Sequence, residues 1–295
     1  MDKIHKPVLL KESLESLNIV PDGFYIDCTL GDGGHSFEIF SKLSDKGLLL
    51  SIDQDQYAID FVKEYYKEKI KENWIIKRSN FRKIADLVSD IHRKPDGILL
   101  DLGLSSRQLE LSHNRGFSYI EENEPLDMRM SQDLGVTAKD LLNVLSEKQL
   151  TELFRKYGEE KFAHRIAKEI KKEENPLETV GDLTRLIYKA SPADNSNKNP
   201  SRRVFQALRI VVNDELESLT EALDKSFEIL QLEGRISVIS FHSLEDRIVK
   251  KFFNNKARSG EGELLFESHI APTDEERRNN PRSASAKLRT VIKKK

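Results

Sequence analysis

Residues 24–36 read Phe24-Tyr25-Ile26-Asp27-Cys28-Thr29-Leu30-Gly31-Asp32-Gly33-Gly34-His35-Ser36. A run of apolar and β-favouring residues enters a turn with three glycines in four positions, and a helical pattern follows. A second apolar run, Leu48-Leu49-Leu50-Ser51-Ile52, stops at Asp53, 22 residues beyond Gly31. Glycines at such a turn let the backbone take positive φ and let a ligand lie close to the main chain. An acid closing the second strand stands where a ribose diol finds a carboxylate acceptor. Strand, glycine turn, helix, strand and acid together predict a nucleoside-cofactor site.

The same rhythm continues outward. Strands read at 24–29, 48–53, 74–77 and 97–102, with helical segments at 35–44, 55–70 and 81–93. Alternation at this spacing predicts an α/β, doubly wound parallel sheet. Gly97-Ile98-Leu99-Leu100-Asp101-Leu102 is almost continuously apolar, as a central strand covered on both faces must be. After Leu102 the rhythm breaks. Residues 137–171 and 178–190 read as helical, residues 191–200 as a polar loop, and 201–231 as a long helix broken near Asn213. Strand character returns at 235–241, and 263–268 and 287–293 read as the last two strands. The expected organisation is a sheet domain over 1–105 and 214–295, with a helical insertion over 106–213 after the fourth strand.

Composition bounds the class. The 295 residues are 38% hydrophobic and 33% charged, with a net charge of −2 and one cysteine. That suits a globular protein with a charged surface, and it excludes a disulfide framework or a cysteine-built zinc site. No apolar run approaches the roughly 20 residues that cross a bilayer, and the first residues lack a signal-peptide core. The expectation is a cytoplasmic protein without a membrane partner. Charge is uneven, however. Arg277, Arg278, Arg282, Lys287, Arg289, Lys293, Lys294 and Lys295 fall in a stretch with no acid, which reads either as a solvated tail or as a source of phosphate contacts.

Two cofactor classes compete for the turn. A dinucleotide fingerprint needs G-x-G-x-x-G, but this register ends in Ser36 and carries Asp32 where a pyrophosphate would lie. S-adenosylmethionine has no phosphate and bears a sulfonium and an ammonium, so acids near the turn favour it. Asp53 is then the ribose acceptor, and Asp101 ends the fourth strand where cofactor and substrate meet. Phe81, after Ser79-Asn80, reads either as an adenine platform or as a core residue.

Further motifs are Gly-Ile-Leu-Leu-Asp-Leu-Gly-Leu-Ser-Ser at 97–106, Arg-Gly-Phe-Ser at 115–118 and Pro-Leu-Asp-Met-Arg-Met at 125–130. Others are Tyr-Gly-Glu-Glu at 157–160, Arg-Val-Phe-Gln-Ala-Leu-Arg-Ile at 203–210 and Ser-Phe-His-Ser-Leu-Glu-Asp-Arg-Ile-Val-Lys at 240–250. With Asp32-Gly33-Gly34-His35-Ser36 they make a chain that resembles the bacterial small-subunit (16S) ribosomal RNA cytosine-N4 methyltransferases along nearly its whole length. The resemblance implies a Rossmann-like methyltransferase sheet with a helical substrate-recognition insertion. It implies S-adenosyl-L-methionine contacts at Gly33, Gly34, His35, Asp53, Phe81, Asp101 and Gln108, and it suggests a homodimer. Asp32, commonly basic in that pattern, and Arg107, commonly proline, depart from it and touch only the detail of the turn and of the Gln108 approach.

The chemistry follows from the acceptor. The lone pair of an exocyclic amine is delocalised into its ring, so transfer needs an acceptor for the amine hydrogens and an in-line approach. Asp101 or nearby backbone carbonyls are the candidates for that acceptor. Carbon-5 methylation needs a cysteine nucleophile, and Cys28, inside the first strand, reads as a small buried apolar residue. No histidine spacing suggests a metal site. His242, after the fifth strand, reads as a residue at the mouth of the site. Arg202, Arg203, Arg209 and the basic C-terminal run are candidates for RNA phosphates, since a target base must leave its stack while basic groups hold the backbone. The expected partner is small-subunit ribosomal RNA, with naked RNA and the 30S subunit both open as substrate. The rival readings are a non-catalytic RNA-binding module on the same fold and a nicotinamide-dependent dehydrogenase.

Overall fold

The computed structural model describes residues 6–111, 114–191 and 199–295. Most of the loop read at 191–200 therefore lies outside the described residues. The strands are β1 Phe24–Asp27, β2 Leu48–Asp53, β3 Trp74–Arg78, β4 Gly97–Asp101, β5 Arg235–Ser240, β6 Gly262–Leu264 and β7 Lys287–Lys293. The helices are α1 Leu10–Leu17, α2 Gly34–Ser41, α3 Gln56–Tyr65, α4 Ile84–Ser89, α5 Ser106–Glu110, α6 Ala138–Val144, α7 Glu147–Gly158, α8 Ala163–Lys172, α9 Val180–Ala190, α10 Ser201–Asn213, α11 Glu215–Ile229, α12 Ser243–Arg258 and α13 Asp274–Asn279. Among the described residues no helix is long and apolar enough to cross a membrane. The chain divides into two compact units, one of residues 1–105 with 216–295 and one of residues 106–215.

The first unit is built on one sheet in the order β3-β2-β1-β4-β5-β7-β6. β1 to β5 run parallel, while β7 is antiparallel to both β5 and β6. Strand residues divide alternately between two apolar layers, as a period of two requires. Phe24, Ile26, Leu50, Ile52, Ile98 and Leu100 face a cluster closed by Ile84, Leu219, Leu223, Phe227, Val249 and Phe253. Their neighbours Tyr25, Leu49 and Leu99 face the opposite cluster, with Leu17, Ile39, Ile59 and Val62. Both faces being covered explains the unbroken apolar runs. Each such buried side chain contributes about 1.5–3 kcal/mol. Strand order reverses between β1 and β4, so their carboxyl ends form the switch point at which open α/β sheets bind ligands.

The second unit is helical. Three of its helices start on side-chain caps: Thr137 with Asp140, Ser146 with Gln149, and Thr179 with Asp182 all form reciprocal capping boxes. The Ser146 cap before α7 and Glu159 at φ 49° after it divide the helical stretch read at 137–171 into three helices. The break near Asn213 falls at Asp214, φ 50°, and Asn213 has a structural reason to be there. Its Nδ2 donates to the Met128 carbonyl at 2.7 Å and its Oδ1 accepts the Met130 N–H at 2.7 Å. The motifs at 115–118 and 125–130 are tied to each other as well. Met128 N–H donates to Arg115 O at 2.7 Å, and a Cβ on Gly116 would stand 2.3 Å from the Pro125 carbonyl oxygen.

Two expectations need correction. The strand read at 263–268 is only Gly262–Leu264. The basic C-terminal run, read as a solvated tail or as a source of phosphate contacts, contains β7, an interior strand whose cations Lys287, Arg289 and Lys293 already have protein partners. Lys287 and Arg289 bind Asp246, Arg289 at 2.7 Å, and Lys294 bridges Glu233 and Glu263. Lys293 Nζ donates to the carbonyls of Phe227, Glu228 and Leu230 at the end of α11, where a cation meets the negative end of the helix dipole.

Candidate cofactor site

Three acids close three adjacent strands of the sheet: Asp27 on β1, Asp53 on β2 and Asp101 on β4. Asp27 is fully buried. It accepts Ser36 Oγ–H at 2.6 Å and the Thr29 N–H at 3.0 Å, yet burial still pushes its carboxyl above the ordinary range. Asp53 keeps part of its surface open. Its Oδ2 accepts the Gly31 N–H at 2.9 Å and its Oδ1 the Asp55 N–H at 2.9 Å. Burial pushes it up to about 7 against those two hydrogen bonds, with the charges of Asp55 and Asp27 adding to the rise. The Asp101 carboxyl is driven well above its ordinary value by burial, then by Asp27 and Glu245. Its Oδ1 is buried and has no hydrogen-bond partner among the described residues. Neighbouring carboxyls that raise one another make a site that a cation stabilises.

The glycine turn is held from its own side. Gly31 takes φ 50° and Gly33 φ 81°, which L side chains rarely adopt. The space beside Gly33 and Gly34 is filled by protein: a Cβ on Gly33 would lie 2.9 Å from Tyr66, and one on Gly34 2.3 Å from Pro7. Ser36, which breaks the dinucleotide fingerprint, has a definite role. Its hydroxyl joins Asp27 to Ser51 Oγ at 2.8 Å, and Ser51 accepts Trp74 Nε1–H at 2.9 Å. A glycine there would leave a buried carboxyl without its strongest donor.

His35 opens α2 beneath the same turn. Its Nε2 is 3.2 Å from the Val8 carbonyl oxygen and its Nδ1 is 3.5 Å from Asp101 Oδ2. Burial drives the ring down to about 4, so it is neutral at physiological pH. The carbonyl takes an N–H, which assigns the proton to Nε2 and leaves Nδ1 as a bare acceptor facing Asp101. The Asp101 main chain is tied in too, its N–H donating to Thr29 Oγ1 at 2.7 Å. His242 follows β5 and caps α12, with Nδ1 accepting the Glu245 N–H at 3.4 Å and Nε2 3.1 Å from Glu245 Oε1. Glu245 Oε2 in turn accepts the Phe241 N–H at 2.8 Å. β4 and β5 are adjacent, which brings Asp101, His242 and Glu245 to one end of the sheet.

Thus Gly33, Gly34, His35, Asp53, Asp101 and His242 gather at the carboxyl ends of β1, β2, β4 and β5. Phe81 begins the turn after β3, half-buried against the apolar cluster that holds Ile84. Gln108 is buried on α5 of the second unit. Arg202 and Arg203 are exposed on α10, with Arg203 4.0 Å from Glu160. Arg209 differs from them. Its guanidinium grips Glu215 through two hydrogen bonds of 2.7 and 2.8 Å, so it braces the end of α10 rather than offering a charge to phosphate. Sequence reasoning did not single out Asp27, Thr29, Ser51 or Glu245. An acid closing an otherwise apolar central strand was the available signal for Asp27. The rest depend on contacts between distant segments.

Comparison with known proteins follows the same outline. Residues 2–295 match a family described as the MraW methylase family. A protein named ribosomal RNA small subunit methyltransferase H from Clostridium botulinum (strain Loch Maree / Type A3) is 44% identical over 312 aligned positions, covering 99% of this chain and 100% of its own. One of the same name from Fusobacterium nucleatum subsp. nucleatum is 44% identical over 314 positions, covering 99% and 98%. A solved structure described as an rRNA methylase from Streptococcus thermophilus aligns at a TM-score of 0.48 and 9% identity, covering 99% and 100%.

Proposed function

The chain belongs to the MraW methylase family, whose cofactor is S-adenosylmethionine, and from that premise we propose that it methylates the exocyclic N4 amine of a cytidine in small-subunit ribosomal RNA. The observation that carries this reading is the Asp101 carboxyl, with Oδ2 3.5 Å from His35 Nδ1 and Oδ1 buried without a hydrogen-bond partner among the described residues, at the switch point. An acceptor raised above the usual carboxylate range is a stronger base than an exposed one, which suits it to take a hydrogen from an amine.

The residues present fit the cofactor. Asp53 offers free lone pairs on both oxygens to a ribose diol, and the group of raised carboxyls favours a ligand carrying ammonium and sulfonium charge. The bound cofactor supplies an electrophilic methyl group on a cationic sulfur. Asp101, ionised, would then hold an amine hydrogen through Oδ1, which orients the nitrogen, and would take the proton released as the N–C bond forms and the methyl–sulfur bond breaks, its electron pair staying on sulfur. A dinucleotide would set its pyrophosphate against these acids. Carbon-5 chemistry is opposed by Cys28, whose thiol is buried and pushed well up by burial and by Asp27.

RNA as the acceptor is supported by the relatives' names and by the exposed Arg202 and Arg203. The test is transfer of labelled methyl from S-adenosylmethionine to 30S subunits and to naked 16S RNA, followed by nucleoside analysis. N4-methylcytidine is the expected product. Label on carbon 5, or cofactor binding with no transfer to either substrate, would overturn the reading, the second outcome favouring a non-catalytic RNA-binding module.

A further inference from the structure

Residues 6–9 lie across the cofactor turn as a strap, and two observations tie the strap to the site. Pro7 fills the space beside Gly34, and the Val8 carbonyl holds His35 Nε2. Two more tie it to a distant part of the chain. The Leu9 N–H donates to Glu276 Oε1 at 2.8 Å, and Asn280 Nδ2 donates to the Lys6 carbonyl at 3.0 Å. Glu276 and Asn280 are joined by a backbone hydrogen bond of 2.6 Å. The strap is also under strain. Leu9 has φ 51° and ψ 37°, a left-handed conformation that persists in a branched residue only when its surroundings over-determine it. Here they do. Its side chain is fully buried with Val8, Ile239 and Leu288, its carbonyl accepts the Ser13 N–H at 2.8 Å, and its N–H has the Glu276 carboxylate.

We propose that Glu276 is a positioning residue for the Asp101 carboxyl, acting through the strap and His35. The line runs from the Glu276 carboxylate to the Leu9 amide, from the neighbouring Val8 carbonyl to His35 Nε2, and from His35 Nδ1 to Asp101 Oδ2. Its consequence is chemical. With Nε2 donating to Val8, the neutral ring presents only a lone pair to Asp101, so it donates nothing to the ionised carboxylate and Oδ1 is left as the free acceptor for an amine hydrogen. Were the strap to shift, the imidazole could take its other tautomer, donate to Asp101 and turn the carboxyl. A misplacement of this size beside the reacting atoms costs rate far more than it costs binding. The inference rests on Asp101 as the amine acceptor. It goes beyond that reading by assigning control of Asp101 to a helix far along the chain.

The experiment compares the full chain with Glu276→Ala and Glu276→Gln. Nitrogen-15 NMR of histidine-labelled, cofactor-free protein reports the His35 tautomer, and steady-state methyl transfer reports kcat and KM. The unaltered chain is expected to show one His35 tautomer, protonated on Nε2. Glu276→Ala should introduce the second tautomer and lower kcat about tenfold with KM for the cofactor nearly unchanged. Glu276→Gln, which keeps an oxygen for the Leu9 amide, should restore both to within roughly twofold. If Glu276→Ala fails to fold, Pro7→Gly loosens the same strap and should give the same tautomer change. The proposal is overturned if the tautomer and kcat stay as in the parent while only thermal stability falls, or if Gln behaves as Ala. The NMR readout needs no methyl transfer, so it remains decisive even if transfer to RNA is not observed.

Discussion

Lowering the pH from 8 to 6 should weaken cofactor binding about tenfold through Asp53 alone. The Asp53 carboxyl is pushed up to about 7, chiefly by burial, while the amides of Asp55 and Gly31 hold it down and the charges of Asp55 and Asp27 lift it. To accept two ribose hydroxyls it must be ionised. With a value near 7, the ionised fraction falls from about nine-tenths at pH 8 to about one-tenth at pH 6, and the dissociation constant rises in proportion. That is about 1.4 kcal/mol of binding. Stability of the cofactor-free protein should move the other way. A carboxyl whose folded value lies above its unfolded value of 3.8 binds its proton more tightly when folded. The folded state therefore gains as pH falls from 7 toward 4, by at most about 4 kcal/mol. Isothermal titration calorimetry with S-adenosylmethionine or its demethylated product at pH 6, 7 and 8 measures the first effect, and thermal denaturation the second. Asp27 and Asp101 are also raised, so the share belonging to Asp53 is the slope that Asp53→Asn removes. Affinity that is flat between pH 6 and 8, or an equal slope in Asp53→Asn, would refute the reasoning.

Gly34→Ala should destabilise the chain by about 1–3 kcal/mol, because its Cβ would stand 2.3 Å from Pro7; an unchanged melting temperature would show that the strap yields freely. Ser36→Gly, which restores the dinucleotide spacing, should cost about 1–3 kcal/mol by leaving Asp27 and Ser51 short of a partner. The same variant should bind no nicotinamide dinucleotide in a titration, and tight binding would reopen that reading. Arg209→Ala should lower stability by about 3 kcal/mol through loss of the part-buried Glu215 pair, measured by denaturant unfolding. Arg202→Ala with Arg203→Ala should instead leave stability alone and reduce the slope of log affinity for RNA against log salt by roughly 0.7–0.9 for each phosphate no longer neutralised. RNA binding with an unaltered slope removes α10 from the interface.

Most of the sheet was legible because its signals are local. Phe24, Tyr25 and Ile26 declare a strand covered on both faces by their own sequence, and Gly31 and Gly33 declare positive φ at the turn. Asp53 and Asp101 were legible for the same reason, since each ends an apolar run. Other features could not be read this way. The basic residues from Lys287 to Lys294 read in sequence as a solvated tail or as phosphate contacts, because their partners Asp246, Glu233, Glu263 and the end of α11 are far along the chain. Arg209 resembles Arg202 and Arg203 until Glu215 is seen to hold it.

The sequence by itself determined the order of elements, the turn and the acids at the strand ends, since periodicity and glycine conformation act over a few residues. Tertiary structure decided what those groups do. Burial raised Asp53 and Asp101, the Ser36–Asp27–Ser51 network explained a missing glycine, and residues 6–9 set the tautomer of His35. Each of these depends on segments distant in sequence meeting in a low-dielectric interior, where desolvation and a single hydrogen bond outweigh local preference.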